Sequence, residues 1–245
     1  MKFEKTEVWG FEHAIRGCRN PLESWKKSDS GYGCYDGAIS LCKDCDSEKN
    51  KYCQCKEFVI GKNDLDLMQR LIRAGSEHRK FMRQIMVSID ITAPLYWWKE
   101  FSTYKIGTVA NSTSTMHKLA STPITVECFE MGDFSHLIDN FKLDITWNTM
   151  VQYLEQLRQG YNETKDKRYW KELIRLLPES WLQTRTITMN YENVLNMYQQ
   201  RCVHPHKLSE WSVLFKGWVE SLPYAKELLC ISKEMLDGQL ARNKR

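Results

Sequence analysis

Five of the nine cysteines in this 245-residue chain fall between Cys34 and Cys55, and four of these form a Cys42-x-x-Cys45 pair and a Cys53-x-Cys55 pair. Thiolates at such spacings can supply the corners of a tetrahedral zinc site. Cys42, Cys45, Cys53 and Cys55 are the preferred quartet, with Cys34 as a substitute. The spacing is not that of a standard zinc finger, so free thiols in a flexible loop stand as the alternative, and an iron–sulfur cluster ranks below both. Four thiolates leave no open position for water, so zinc held this way would shape the segment rather than catalyse. A second grouping, Thr108 to Thr115, strings Thr, Ser and Asn residues together. These side chains compete with the backbone for hydrogen bonds, which makes a poor helix and either a ligand-contacting loop or a capped turn.

Around these groups the chain has material for a full core. Its composition is 42% hydrophobic and 12% aromatic, enough for one large domain, or one domain with an insertion, without help from disulfides. Lys and Arg number 35 against 31 Asp and Glu, a formal charge of +4. That excess is too small and too evenly spread for a nucleic-acid binder, while small anionic ligands fit it. The N-terminal MKFEKTEVWG has no apolar signal region, and no stretch approaches the roughly 20 apolar residues needed to span a bilayer. The expectation is a soluble cytoplasmic protein, in which clustered cysteines bind metal or stay free.

The elements that must carry the site follow from periodicity. Asn20-Pro21 marks a turn, and residues 28 to 56 are too polar to build much core. A cap at Asn63 or Asp64 opens a helical pattern of Leu65, Met68, Leu71, Ile72, Met82, Ile85 and Met86 that should run to about Val87, weakened at Gly75. Pro94 suits a helix start in the aromatic stretch to Phe101, where Trp97 and Trp98 suit core or subunit-contact positions. Pro123 to Phe129 reads as a short strand and Thr184 to Thr188 as another. Trp147 to Leu157, Lys167 to Leu177, Tyr191 to Arg201 and Ser209 to Leu222 read as amphipathic helices. The sum is a helix-dominated α+β fold, one domain over residues 1 to 245 with a cysteine-rich insertion at about 28 to 57.

The run KEFSTYKIGTVANSTSTMHKL, from Lys99 to Leu119, resembles the signature of the flavin-dependent thymidylate synthases, Arg-Gln-x-x-Arg-His-Arg-x-x-Ser-x-Asn-Glu-x-Ser-x-Arg-Tyr. Lys99 and Glu100 stand at Arg-Gln, and Thr103, Tyr104 and Lys105 at Arg-His-Arg. Thr108 stands at the first Ser, and, after one extra residue, Asn111 and Ser114 match the Asn and Ser. Ala93-Pro94, the Glu77-His78 pair and Leu177-Pro178 followed by Asn190, Asn196 and Arg201 are similar to further family features. The resemblance runs from Gly61 to the C-terminus with gaps and omits the cysteine-rich segment.

The resemblance implies FAD as cofactor, NADPH and methylenetetrahydrofolate as co-substrates, and reductive one-carbon transfer to a uracil nucleotide such as dUMP. It implies flavin contacts at His78, Thr103, Tyr104, Lys105, Asn190 and Asn196, and nucleotide contacts at Glu100, Asn111, Ser112, Ser114, His117, Lys118 and Arg201. Arg201 is implied to be the catalytic residue, aiding loss of the uracil N3 proton. It implies a homo-oligomer, a tetramer, and requires no cysteine nucleophile. The family's forked anion anchors are replaced here by Thr103, Lys105 and Met116, its Glu by Ser112 and its His by Tyr104. A nucleotide-binding protein that has lost catalysis on the same scaffold is therefore the alternative. Read alone, His78 is a partly exposed helix residue and Arg201 complements a helix dipole. Asn190, Asn196 and Arg201 lie six and five residues apart, a spacing that lines adjoining parts of a groove rather than one helical stripe.

Overall fold

The computed structural model describes residues 1–33, 57–131, 143–203 and 208–231. Cys34, Cys42, Cys45, Cys53 and Cys55 lie outside them. Along the chain run β1 (Lys2–Trp9), α1 (Phe11–Arg19), β2 (Gly31–Gly33), β3 (Glu57–Val59), α2 (Lys62–Ala74), β4 (Met86–Pro94), α3 (Leu95–Phe101) and β5 (Val109–Ser112). There follow α4 (Thr115–Lys118), α5 (Leu143–Thr164), α6 (Lys167–Leu176), β6 (Leu182–Asn190), α7 (Tyr191–Met197), α8 (Lys216–Glu220) and α9 (Ala225–Leu228). The architecture is the expected helix-dominated α+β fold. The contacts resolve two compact units, one of Met1–Thr6 with Ser88–Thr188, the other of Glu7–Val87 with the chain from Met189 onward.

The first unit carries a sheet in the order β1-β4-β6-β5. β5 is antiparallel to β6, with Val109 opposite Thr188, Asn111 opposite Thr186 and Ser112 opposite Arg185. Side-chain bonds join Ser88 to Thr188 at 3.3 Å, Asp90 to Thr186 at 2.5 Å and Thr92 to Thr184 at 2.7 Å. Numbers rise on β4 as they fall on β6, so these strands are antiparallel too. Alternation does the rest: Ile89, Ile91, Ala93 and Ile187 are buried on one face, and the hydroxyl ladder stands on the other. α5 packs on α6, where Val151, Leu154, Leu157 and Leu173 close over Leu119, Ile124 and Phe129.

The second unit is built on α1, α2, α7 and the C-terminal helices. Phe11 meets Tyr191 and Tyr224 edge-on at 5.7 and 5.5 Å between ring centroids. Trp211, Phe215 and Trp218 form an aromatic run with Phe215 fully buried at its centre. Asp64, also buried, accepts bonds from Arg19 Nε (2.6 Å), Ser28 Oγ (2.7 Å), the backbone N–H of Asp29 and Ser30, and Ser30 Oγ (2.6 Å). Burial pushes its carboxyl up, but the bonds from Ser30, Ser28 and Arg19 outweigh that and hold it below its ordinary value.

Several local expectations are corrected. The helix expected to reach Val87 ends at Ala74, because Gly75 adopts φ 126, which side-chain-bearing residues rarely enter. Met82 and Ile85 are buried as expected, but Met82 sits in a 3₁₀ turn (Lys80–Gln84) and Ile85 in extended chain leading into β4. Asn63 and Asp64 do not cap α2. Asp29, from 34 and 35 residues away, accepts their backbone N–H groups at 2.9 and 3.1 Å, and Gly61 leaves room for it because a Cβ there would strike the Asp29 carboxylate. Within Pro123 to Phe129 a 3₁₀ turn, Val126–Cys128, replaces the expected strand, and Phe129 contributes one bridge to Trp181. Ser209 to Leu222 divides into a π-helical turn, Glu210–Phe215, and α8. β1 and α1 lie in a segment whose mixed aromatic and basic residues gave no period to read.

Candidate functional site

In the first unit the signature-like residues gather at the β5 edge of the sheet. The polar run is not a loop throughout: Val109 to Ser112 form β5, because the ladder to β6 outweighs the weak strand propensity of Asn and Ala. As an edge strand it leaves all four side chains exposed, among them Asn111 and Ser112. Its entry is a tight turn in which Thr108 N–H and Oγ1 both donate to Lys105 O, made possible by Gly107 at φ 78. Its exit is pinned to β6: Thr113 N–H donates to Thr184 O at 2.9 Å, and buried Gln183 donates through Nε2 to Thr113 O (2.8 Å) and Thr115 Oγ1 (3.3 Å).

α3 holds the start of the signature against this edge. Trp97, Trp98 and Phe101 are buried in mutual ring contact, and Trp98 Nε1 donates to Gln183 O at 3.0 Å. Lys99 pairs with Glu179 at 2.6 Å in the open, and Glu100 is half-buried. Thr103 and Lys105 are exposed, whereas Tyr104 is buried. Ser114 is half-buried before α4, on which Met116 and Lys118 are exposed. α4 also carries His117.

Sequence reasoning passed over Arg185. Its guanidinium carbon lies 4.3 Å from the centre of the Trp98 ring, and its Nε donates to Gln183 Oε1 at 3.0 Å. Burial pulls its pKa down. The signal was present as Gln183-x-Arg185, two long polar side chains on one strand face, which is rare unless they serve each other or a ligand.

In the second unit the β6–α7 junction carries the other candidates. Asn190 is the N-cap of α7: its Oδ1 accepts Asn193 N–H at 3.0 Å, and Asn193 Oδ1 accepts Asn190 N–H at 3.4 Å. Its Nδ2 keeps no protein acceptor among the described residues. Asn196 is half-buried on α7, and its amide makes no hydrogen bond among the described residues. α7 then loosens into a π-helical turn, Tyr198–Cys202, which contains Arg201. Such a turn closes its hydrogen bonds over five residues rather than four. Arg201 is half-buried, 5.9 Å from the centre of the Trp211 ring. Beneath the junction, Arg79 Nε donates to both Glu192 oxygens at 3.0 and 3.1 Å. His78 is exposed and sits in the turn after α2 rather than on the helix.

Cys18 and Cys202 are buried, and burial pushes both thiols up to about 12, so neither is a thiolate near neutral pH. Among the described residues no group of His, Cys, Asp or Glu is arranged to hold a metal, and no helix is long and apolar enough to cross a membrane.

No family model matches the chain, and no curated protein matches it in sequence. Solved structures do match. Thymidylate synthase X from Helicobacter pylori, solved with FAD and dUMP, superposes with a TM-score of 0.64 at 17% identity, covering 96% of this chain and 99% of that one. A second structure of that flavin-dependent synthase, complexed with FAD and dUMP, gives 0.58 at 17% identity over 94% and 98%. The UMP/dUMP methylase PolB from Streptomyces cacaoi, bound with 5-Br dUMP, gives 0.52 at 12% identity over 98% and 94%. The chain has the fold of the flavin-dependent thymidylate synthases along nearly its whole length.

Proposed function

We propose that this protein is an FAD-dependent enzyme that reductively transfers one carbon to the uracil ring of a nucleotide such as dUMP. The observation that carries the reading is the β6–α7 junction, where Asn190, Asn196 and Arg201 sit at a cap, a helix and a π-turn of a chain whose fold is shared with FAD- and dUMP-bound structures. The half-buried Asn196 amide and the Asn190 Nδ2 have hydrogen-bonding capacity that no described residue uses, which suits the carbonyl and nitrogen edge of a flavin ring. FAD, when bound, supplies the hydride chemistry, with NADPH as reductant and methylenetetrahydrofolate as carbon donor.

The rest falls to the chain's own residues. Arg201 is a fixed positive charge in a half-buried position, so beside a uracil carbonyl it favours the N3-deprotonated ring and raises the nucleophilicity of C5. In the second unit Asn190, Asn196 and His78 serve the flavin, and in the first unit Thr103, Tyr104 and Lys105 do so. Glu100, Asn111, Ser112, Ser114, His117 and Lys118 serve the nucleotide. On this reading the protein is a homotetramer, and Cys42, Cys45, Cys53 and Cys55 hold one structural zinc. Sedimentation of a monomer at micromolar concentration removes the first statement, and zinc-free protein purified without chelator removes the second.

Freshly purified protein is expected to show a flavin spectrum, to oxidise NADPH faster when dUMP is added, and to yield a methylated nucleotide by mass spectrometry with the folate present. A second reading, a nucleotide-binding protein without catalysis, is favoured by the exposed Thr103 and Lys105 at two signature positions where the family carries guanidinium groups. Colourless protein that binds dUMP and leaves NADPH unoxidised establishes the second reading and sinks the first.

A further inference from the structure

Two arginines withdrawn from water meet carboxylates: Arg19 meets Asp64 and Arg79 meets Glu192. Arg185 does not. It is half-buried, its Nε donates to Gln183, and its guanidinium carbon lies 4.3 Å from the centre of the Trp98 ring. A guanidinium has five N–H donors. The four on its Nη atoms meet no protein acceptor among the described residues. The group is nevertheless held in place, since Gln183 and Trp98 are buried and Gln183 is itself tied to Thr113 and Thr115. Ser112 is its cross-strand partner, so the two side chains leave the same face of the sheet with Cβ atoms about 5 Å apart. The Ser112 hydroxyl also has no hydrogen bond among the described residues.

We propose that Arg185, with Ser112 beside it, binds a phosphate monoester, the 5′-phosphate of the nucleotide. The inference rests on the reading of the polar run as part of a nucleotide site. A rigid fork of N–H donors matches two phosphate oxygens, and a neighbouring hydroxyl donates to a third contact. Trp98 covers one face of the guanidinium, which limits the approach of water from that side. Arg185 thereby supplies on β6 the forked donor that Thr103, Lys105 and Met116 no longer supply from the signature.

The test is calorimetric titration of the full-length protein with dUMP, deoxyuridine and inorganic phosphate, alongside Arg185→Met and Arg185→Lys. Methionine keeps an apolar cover on Trp98 and removes the charge; lysine keeps the charge and loses the fork. For Arg185→Met, dUMP affinity is expected to fall roughly tenfold to a hundredfold, the usual effect of removing a charged hydrogen-bond partner, with deoxyuridine affinity unchanged. Arg185→Lys should fall between the parent and Arg185→Met, and it carries the test if Arg185→Met fails to fold. Binding of inorganic phosphate but not dUMP, lost in Arg185→Met, supports the anion contact and assigns it to free phosphate. Equal weakening of dUMP and deoxyuridine overturns the proposal, as does no change in either or no binding of any phosphate compound by the parent. A parent that loses its preference for dUMP over deoxyuridine on Arg185→Met, yet never turns over, keeps the phosphate contact and sinks the methylase reading.

Discussion

Arg19 and Arg185 are held in opposite ways. Arg19 is buried on α1 with its Nε 2.6 Å from Asp64, whose carboxylate also collects donors from Ser28, Asp29 and Ser30. The two charges in that knot compensate each other, and what it does is tie the segment after α1 to the start of α2. Arg185 is held instead by a ring face and a neutral amide, and its outer donors meet no acceptor among the described residues. The difference separates an ion pair that specifies a fold from a cation that the fold presents. Burial alone does not make the distinction; the identity of the partner does.

The largest effect is expected at the knot. Asp64→Ala leaves Arg19 buried without a counter-charge and should lower unfolding free energy by about 3 to 5 kcal/mol, read from denaturant midpoints. Because the Asp64 carboxyl is held below its ordinary value when folded, its contribution is complete above the ordinary carboxylate range and is lost as pH falls through the lower, folded value. The parent should therefore lose midpoint on acidification more steeply than Asp64→Ala. A midpoint in Asp64→Ala close to the parent's at neutral pH breaks the comparison at its structural end.

Next comes Arg201. Arg201→Ala is expected to weaken nucleotide binding about tenfold to a hundredfold, while Arg201→Lys keeps the fold and the flavin but loses most nucleotide-dependent turnover. If Arg201→Ala unfolds instead, Arg201 belongs with Arg19 rather than with Arg185. Asn190 sharpens the same contrast within one side chain, since its oxygen caps α7 and its Nδ2 does not. Asn190→Ala should cost about 1 kcal/mol of stability. Asn190→Ser retains a cap and should still release flavin; flavin retained at parental occupancy reduces Asn190 to a cap.

The smallest effect is expected for the stability of Arg185→Met, under about 1 kcal/mol, the scale of a cation–π contact at a partly exposed site. A loss comparable to that of Asp64→Ala erases the distinction between the two arginines.

Much of the site could be read along the chain. Pro94 marks the passage from β4 to α3, Asp90 to Phe101 supplies the buried Trp97 and Trp98, and Tyr191 opens a helix that reaches toward Arg201. These features are local: fixed φ at proline, apolar spacing, a capping side chain. Arg185 was missed for the complementary reason. Gln183-x-Arg185 places two long polar side chains on one strand face, but that spacing does not tell which of their donors stay unmet. The helix expected through Gly75 failed because the three- and four-residue spacing of apolar groups reports that residues are buried, not which backbone buries them.

What the sequence by itself determined is the α+β class, the helical bodies of the second half, and the residue types available for nucleotide and flavin chemistry. Those follow from composition, periodicity and the resemblance of a short signature. Tertiary structure alone decided that the polar run pairs with β6, that Asp29 caps a helix more than thirty residues away, and that Arg201 falls in a π-turn rather than on a regular helix. Each of these depends on hydrogen bonds satisfied by backbone or side chains distant in the chain, or on how one turn winds within its packed surroundings. No local window of residues contains that information.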